Sequence, residues 1–326
     1  MRRTYDFDQV ALVPQFNNVP SRTVPDLESW LTRHRRVKIP LLAANMDTVI
    51  GSELAELLIE NGTYPIYHRF TEWHEQKRWV SRFRDKTFIS CGVHDIDRVR
   101  ELLDLGAVGA CIDVAHGHSD RMMDYIGELK RSHPDKDVIA GNVCTAMAYH
   151  DLVNAGADAI KVGIGSGSPC TTRAVTAFGT PQFSAIQDCA AVAEKLRVPL
   201  IADGGIRGSR DLVLALAAGA STIMIGRLFA LTEESAAPKR PAASADGGLE
   251  AKYRGQASED FQSDFYGGLK EYTVAEGVHF WAPVSGAAQT LIDTLLGGLR
   301  SGLTYGGAKS IKELQRKAEF VEIVPG

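Results

Sequence analysis

No two of the five cysteines in this 326-residue sequence stand in Cys-x-x-Cys spacing. Cys91, Cys111, Cys144, Cys170 and Cys189 are odd in number and dispersed. That argues against a disulfide framework or a zinc site and for a reduced, cytoplasmic setting. No basic block occurs, and 36 Lys plus Arg against 40 Asp plus Glu leave a net charge of −4. Nucleic acid is therefore not an expected partner. The opening Met-Arg-Arg-Thr-Tyr-Asp-Phe-Asp lacks the apolar stretch of a signal peptide. The most apolar segment, Leu212 to Leu231, is interrupted by Gly219, Gly226 and Arg227, so it reads as a helix followed by a strand, and no membrane span is expected. The hydrophobic share of 44% and charged share of 23% are those of an ordinary folded domain, which excludes wholesale disorder.

What is present is a rhythm. Short apolar runs recur at Ile39–Ala44, Tyr64–His68, Thr87–Val93, Val108–Val114, Val138–Val143, Ala159–Ile164, Pro199–Ala202 and Thr222–Ile225. They are nearly continuous rather than alternating, as parallel strands buried on both faces are. The segments between them, such as Glu53–Asn61, Val99–Leu105, Asp151–Ala155 and Ser184–Leu196, carry apolar residues at helical spacing. Eight βα units in succession predict an α/β fold, a single (β/α)8 barrel over residues 1–326, with a doubly wound open sheet as the alternative. After the eighth run, 233–248 is rich in Ala, Ser and Pro and reads as a flexible connection. Tyr253 to Gly277, rich in Gly and aromatics, reads as a flap, and Gly286–Leu299 is helix-like again.

Barrel chemistry sits at the C-terminal ends of the strands, with phosphate sites often after strands seven and eight. Here those ends read Asp203-Gly204-Gly205-Ile206 and Gly226-Arg227. Glycines let backbone N–H groups close on a phosphate, and the next helix N-terminus favours an anion. Asp203 beside them is placed to accept ribose hydroxyls. The pattern serves nucleotide and flavin (FMN) barrels alike, so both readings stand at this point. In the Gly/Ser-rich loop Gly163–Arg173, Cys170 has little apolar company and reads as a nucleophile, with N–H dipoles and Arg173 favouring its thiolate. The other four cysteines read as buried filler. His116 and His118 lack a third ligand and do not read as a zinc site. Asp113, at a strand end, is a candidate partner for a cofactor amide, and Glu276 in the flap is a candidate proton carrier.

The stretches Ala43-Ala-Asn-Met-Asp-Thr-Val49, Asp113-Val-Ala-His-Gly-His-Ser119, Ala140-Gly-Asn-Val143, Val162-Gly-Ile-Gly-Ser-Gly-Ser-Pro-Cys-Thr-Thr-Arg173, Ala202-Asp-Gly-Gly-Ile206, Tyr253-Arg-Gly255 and Tyr305-Gly-Gly-Ala308 carry a further signal. Through them the chain resembles the IMP dehydrogenase/GMP reductase family over essentially its whole length. The resemblance implies covalent attack of Cys170 on C2 of a purine monophosphate and a thioimidate intermediate. Its dehydrogenase branch hydrolyses that intermediate to XMP with NAD. Its reductase branch forms it from GMP with loss of ammonia and reduces it to IMP with NADPH.

Two features point to the reductase branch, with a short IMP dehydrogenase as the alternative. Only Phe70–Lys86 separates the second and third strands, which leaves no room for the CBS modules most dehydrogenases insert. Glu271 stands where the dehydrogenases' water-activating arginine would be, in Gly267-Gly-Leu-Lys-Glu-Tyr-Thr-Val-Ala-Glu-Gly277.

The resemblance further implies Thr172 and Glu276 as a relay protonating the leaving amine. It places the nucleotide on Met46, Ser168, Asp203, Gly204, Gly205, Gly226, Arg227, Gly255, Gln256, Ala257 and Gly277. The cofactor, NADPH, falls on Ser21, Arg22, Arg69, Asp113, Val114, Ala115, Ile164, Gly165, Tyr272, Thr273, Ser301 and Thr304. Ser301 and Thr304 would come from a neighbouring subunit of a homotetramer. A monovalent cation, K+, would sit at Gly165, Gly167, Cys170 and Arg173. Pro169 before the cysteine and Gln256 beside the base depart from the family pattern, so a modified purine monophosphate is a conceivable substrate.

Overall fold

The computed structural model describes residues 2–242 and 247–324. Eight parallel strands form the central sheet: Leu41–Ala43, Ile66–Tyr67, Phe88–Cys91, Gly109–Asp113, Asp137–Val143, Ala159–Val162, Leu200–Asp203 and Thr222–Ile225. They are called the first to eighth strands below. Each falls within, or overlaps by all but a residue or so, one of the eight apolar runs. The first strand pairs with the eighth, and the remaining strands pair in chain order back to the second. No ladder joins the first to the second, where Thr63 Oγ1 donates to Leu41 O at 3.0 Å, so the barrel is nearly closed.

Helices cover the sheet outside, among them Ser52–Glu60, Trp73–Phe83, Ile96–Leu105, Asp120–Ser132, Ala146–Asn154, Gln182–Leu196, Ser209–Ala217 and Ala288–Tyr305. Their starts follow from local chemistry: the Ser119 and Thr145 hydroxyls accept from the Met122 and Ala148 amides, satisfying donors that a helix cannot pair internally. Between the second and third strands lie only Trp73–Phe83 and the short turn Arg84–Lys86.

The barrel's N-terminal end is closed by the segment carrying the short hairpin Ser29–Trp30 and Arg36–Val37. Ser29 donates to Ser221 O, the Arg33 amide donates to Asp158 O, and Thr32 and His34 bond the buried carboxylate of Asp137. That leaves the opposite end for chemistry.

The stretch expected to be connection and flap contains regular structure. Strands Lys239–Pro241, Leu249–Arg254 and His279–Pro283 make a three-stranded antiparallel sheet, and a helix spans Glu259–Tyr266. Residues 243–246 of the expected connection lie outside the described residues. The Ser258 hydroxyl caps the helix, Phe261 and Phe265 meet the edge of Phe70 at 4.7 and 5.5 Å, and Arg254 reaches back to Asp47. Gly and aromatics read as loop in sequence because their packing partners lie far away in the chain.

Candidate active site

A cavity of about 1080 Å³ opens at the C-terminal end of the barrel. Strand ends and the inserted sheet build it together: Asn45 and Met46 follow the first strand, Arg69 and Phe70 the second, Asp113 to Ala115 the fourth. The loop 163–173 follows the sixth, Asp203 to Arg207 the seventh, and Gly226 and Arg227 the eighth. Gly255 to Ala257, Thr273 and Glu276 come from the insertion. Ligand cavities are commonly about 300–1,000 Å³, so this one has room for more than a mononucleotide.

On one wall Cys170 Sγ donates to Thr172 Oγ1 at 3.2 Å, and Thr172 Oγ1 donates to Glu276 Oε2 at 2.8 Å. Backbone pairing sets this row. The Thr171 amide bonds Glu276 O at 2.9 Å, the Val278 amide bonds Pro169 O at 2.9 Å, and Cys170 and Gly277 form a bridge. A Cβ at 255 or 277 would sit 3.2 or 3.1 Å from Pro169 O, so both glycines serve close approach of flap root to loop. The loop and the flap root are thus one hydrogen-bonded unit, although 104 residues separate Thr172 from Glu276.

Against the same loop lies a glycine cradle, since a Cβ at Gly204 would meet Gly167 N at 3.1 Å. Gly204 and Gly205 have φ of +88° and +81°, a backbone that side chains disfavour. A Cβ at Gly226 would fall 2.2 Å from Tyr253 Oη. Tyr253 is buried, which pushes its hydroxyl well above the ordinary value, and it lines the cavity. Arg227 stacks over Phe280 at 5.4 Å. Gln256 donates through Nε2 to Asn45 O at 3.0 Å, which fixes the plane of its amide in the cavity wall.

A charged group lies at the floor. Lys161, on the sixth strand and 2% exposed, donates to Asp113 Oδ1 at 2.8 Å and Asp203 Oδ2 at 2.9 Å. Asn142 Nδ2 donates to Asp203 Oδ2 at 3.0 Å and to Gly163 O. Burial pulls the lysine down, but Asp113 and Asp203 outweigh it and raise its pKa. For Asp113 burial pushes up, and Lys161 outweighs it and holds the carboxyl below its ordinary value. The sequence reading did not single out Lys161, Asn142 or Tyr253 as site residues. A lone charge in the apolar run Ala-Ile-Lys-Val was a usable signal for the first. Burial pushes the thiols of Cys91, to about 12, and of Cys111 and Cys189 up, so all three are held as neutral thiols.

The residues expected at the cofactor divide into two groups. Arg69, Asp113, Val114, Ala115, Ile164, Gly165 and Thr273 line the cavity. Arg69 Nε and Asn142 Oδ1 are buried there without partners, as an amide-bearing ring would need. Ser21, Arg22, Ser301 and Thr304 are not among the lining residues. Their segments meet each other instead, since Arg300 donates to Thr23 O and Pro25 O. Tyr272 is 97% exposed and also lies outside the lining.

For a monovalent cation, Gly165, Gly167 and Cys170 offer only backbone carbonyls. The Arg173 side chain is a donor without an acceptor, and it is engaged by Asp6 and Thr180 O, so it is not a ligand. His118 is bonded to Asp151 at 2.9 Å. Among the described residues, one acidic cluster has metal-like spacing, His34, Asp137 and Asp158. Its carboxylates are already bonded by Thr32, Arg35 and Lys130. Among the described residues no helix is long and apolar enough to cross a membrane.

The family model described as "IMP dehydrogenase / GMP reductase domain" matches residues 4–325. The inosine-5'-monophosphate dehydrogenase of Aquifex aeolicus is 44% identical over 307 residues, 92% of this chain and 60% of that protein. The GMP reductase of Shewanella pealeana is 34% identical over 331 residues, 97% of this chain and 94% of that protein. That of Onchocerca volvulus is 35% identical over 332 residues, 98% of this chain and 90% of that protein. The chain spans 60% of the length of the Aquifex relative and nearly all of the two reductases.

Proposed function

This chain belongs to the IMP dehydrogenase/GMP reductase family, oxidoreductases that act on purine nucleotides with a nicotinamide cofactor, and on that premise we propose that it converts GMP to IMP and ammonia with NADPH. The observation that carries the reading is the row Cys170 Sγ, Thr172 Oγ1, Glu276 Oε2. Its two hydrogen bonds run from thiol to carboxylate, so the thiol proton has a path to Glu276 as the sulfur bonds to C2 of the base. The same proton then returns through Thr172 to the C2 amine, which departs as ammonia and leaves the base attached to Cys170. An amide ion would be a very poor leaving group without it. When bound, the reduced nicotinamide supplies hydride to C2, and the carbon–sulfur bond then breaks to return the thiolate.

Gly204, Gly205, Gly226, Ser168 and Arg227 hold the phosphate in this reading, and Asp203 the ribose. Met46, Gly255, Gln256, Ala257 and Gly277 surround the base. Arg69, Asp113, Val114, Ala115, Ile164, Gly165 and Thr273 face the nicotinamide. The patch of Ser21, Arg22, Ser301 and Thr304 serves a neighbouring copy in a homotetramer, as does Tyr272, exposed in the flap, and Arg22 there suits a 2′-phosphate.

A second reading, oxidation of IMP to XMP with NAD, is favoured by the 44% identity to the Aquifex dehydrogenase. Against it, the flap segment 267–277 contains no arginine, and Glu271 at the corresponding place is exposed. The flavin alternative loses its support once the family is known. A paired assay decides: GMP with NADPH should consume the reduced nicotinamide and release ammonia. XMP formation from IMP and NAD, without turnover of GMP, reverses the assignment.

A further inference from the structure

The sixth strand, Ala159–Val162, carries one charged side chain, that of Lys161, and it points into the cavity floor. Its ammonium is shared by two carboxylates that end different strands, Asp113 on the fourth and Asp203 on the seventh. Each of those lines the cavity, and among the described residues neither Asp113 Oδ2 nor Asp203 Oδ1 accepts a hydrogen bond from the lysine. The space for the lysine stem depends on the fifth strand, because a Cβ at Gly141 would lie 2.5 Å from Lys161 Cβ. Two carboxylates and one ammonium give this trio a net charge of −1, and the Arg69 guanidinium, which follows the second strand, acts on Asp113 alike in every variant below. Without the ammonium, two like charges would face each other in a water-poor site, a situation in which one of a pair takes up a proton.

Resting on the functional reading above, we propose that Lys161 is a positioning residue shared by the two halves of the cavity. It holds the two carboxylates side by side, so that Asp203 presents Oδ1 to the ribose hydroxyls of the nucleotide while Asp113 presents Oδ2 to the nicotinamide end of the cofactor. Both affinities then depend on a side chain that touches neither ligand. A charge-balanced second substitution must also restore the nucleotide half without the cofactor half.

The test is calorimetric binding of GMP and of NADPH to the full chain between about pH 6 and 9, where a crowded carboxylate pair titrates. Lys161→Met should weaken GMP and NADPH alike by about ten- to a hundredfold, the worth of one or two charge-assisted hydrogen bonds. It should also make GMP affinity rise with pH as the pair loses its acquired proton. In Lys161→Met/Asp113→Asn the trio returns to a net charge of −1, with Arg69 unchanged. GMP affinity should recover to within about threefold and lose its pH dependence, while NADPH stays weak.

GMP affinity in Lys161→Met equal to wild type at every pH overturns the proposal, and so does a double variant that fails to regain it. If Lys161→Met does not fold, the charge-balanced double variant decides alone by the same criterion. A wild-type chain that binds neither GMP nor IMP would instead remove the functional reading.

Discussion

Replacing Glu276 by glutamine separates the two halves of the proposed reaction. The glutamine carbonyl can still accept the Thr172 hydroxyl across the 2.8 Å contact, so the geometry of the row is kept, but the amide cannot take or return a proton. General acid–base assistance is worth about 10²–10⁴ in rate, or roughly 3–5 kcal/mol of barrier. Loss of ammonia from GMP should slow by that factor. Hydride addition to C2 and return of the thiolate need no proton from this row, so that half should change by less than about threefold.

The halves are measurable apart in rapid-mixing experiments. Release of ammonia from GMP in one turnover reports the first. Oxidation of reduced nicotinamide by the covalent adduct, formed beforehand by long incubation of the protein with GMP, reports the second in the forward direction, where the sulfur leaves as thiolate. Equal slowing of both would refute the proton role and make Glu276 a structural tie between flap and loop. Its backbone bonds to Thr171 and Ala257 already supply such a tie, and glutamine leaves them intact.

Cys170→Ala should abolish turnover and any nucleotide adduct seen by intact-mass measurement, while GMP binding by calorimetry stays within about tenfold of wild type. Gly226→Ala should drive a methyl into Tyr253 Oη, 2.2 Å away, and destabilise the fold by about 1–3 kcal/mol while raising KM for the nucleotide. Unchanged melting and KM would mean that Tyr253 yields freely. His68 is buried, and burial lowers its pKa to about 4. Above about pH 6.5 the imidazole is neutral in both folded and unfolded chains and costs nothing. As pH falls from there to about 4 the unfolded chain alone takes up the proton, so stability declines by about 3 kcal/mol and then levels. Urea unfolding across that window should lose this part of its slope in His68→Gln; an identical slope in both proteins would show that His68 does not titrate as its burial requires.

Much of the fold was legible from local patterning. Fully buried parallel strands leave continuous apolar runs, and all eight appear in the sequence at their observed places. Helix extents were less legible: Ala146–Asn154 and Ala288–Tyr305 exceed the predicted segments, because their missed turns mix exposed Met147 and Tyr305 with buried Ala148 and Leu303, which blurs the apolar periodicity. Cys170 and Thr172 lie on one loop, and the glycine turns after strands seven and eight are local too, so they could be named before any coordinates.

The inserted sheet was read as connection and loop, since its strands pair across gaps and its aromatics pack on Phe70, a partner almost two hundred residues away. The joining of Glu276 to Thr172, the closeness of Tyr253 to Gly226 and the sharing of Lys161 between Asp113 and Asp203 were decided only in three dimensions. Burial converts those encounters into chemistry. A buried ammonium placed between two carboxylates fixes where they point, whereas the same three residues along an extended chain would be solvated separately and tell nothing of one another.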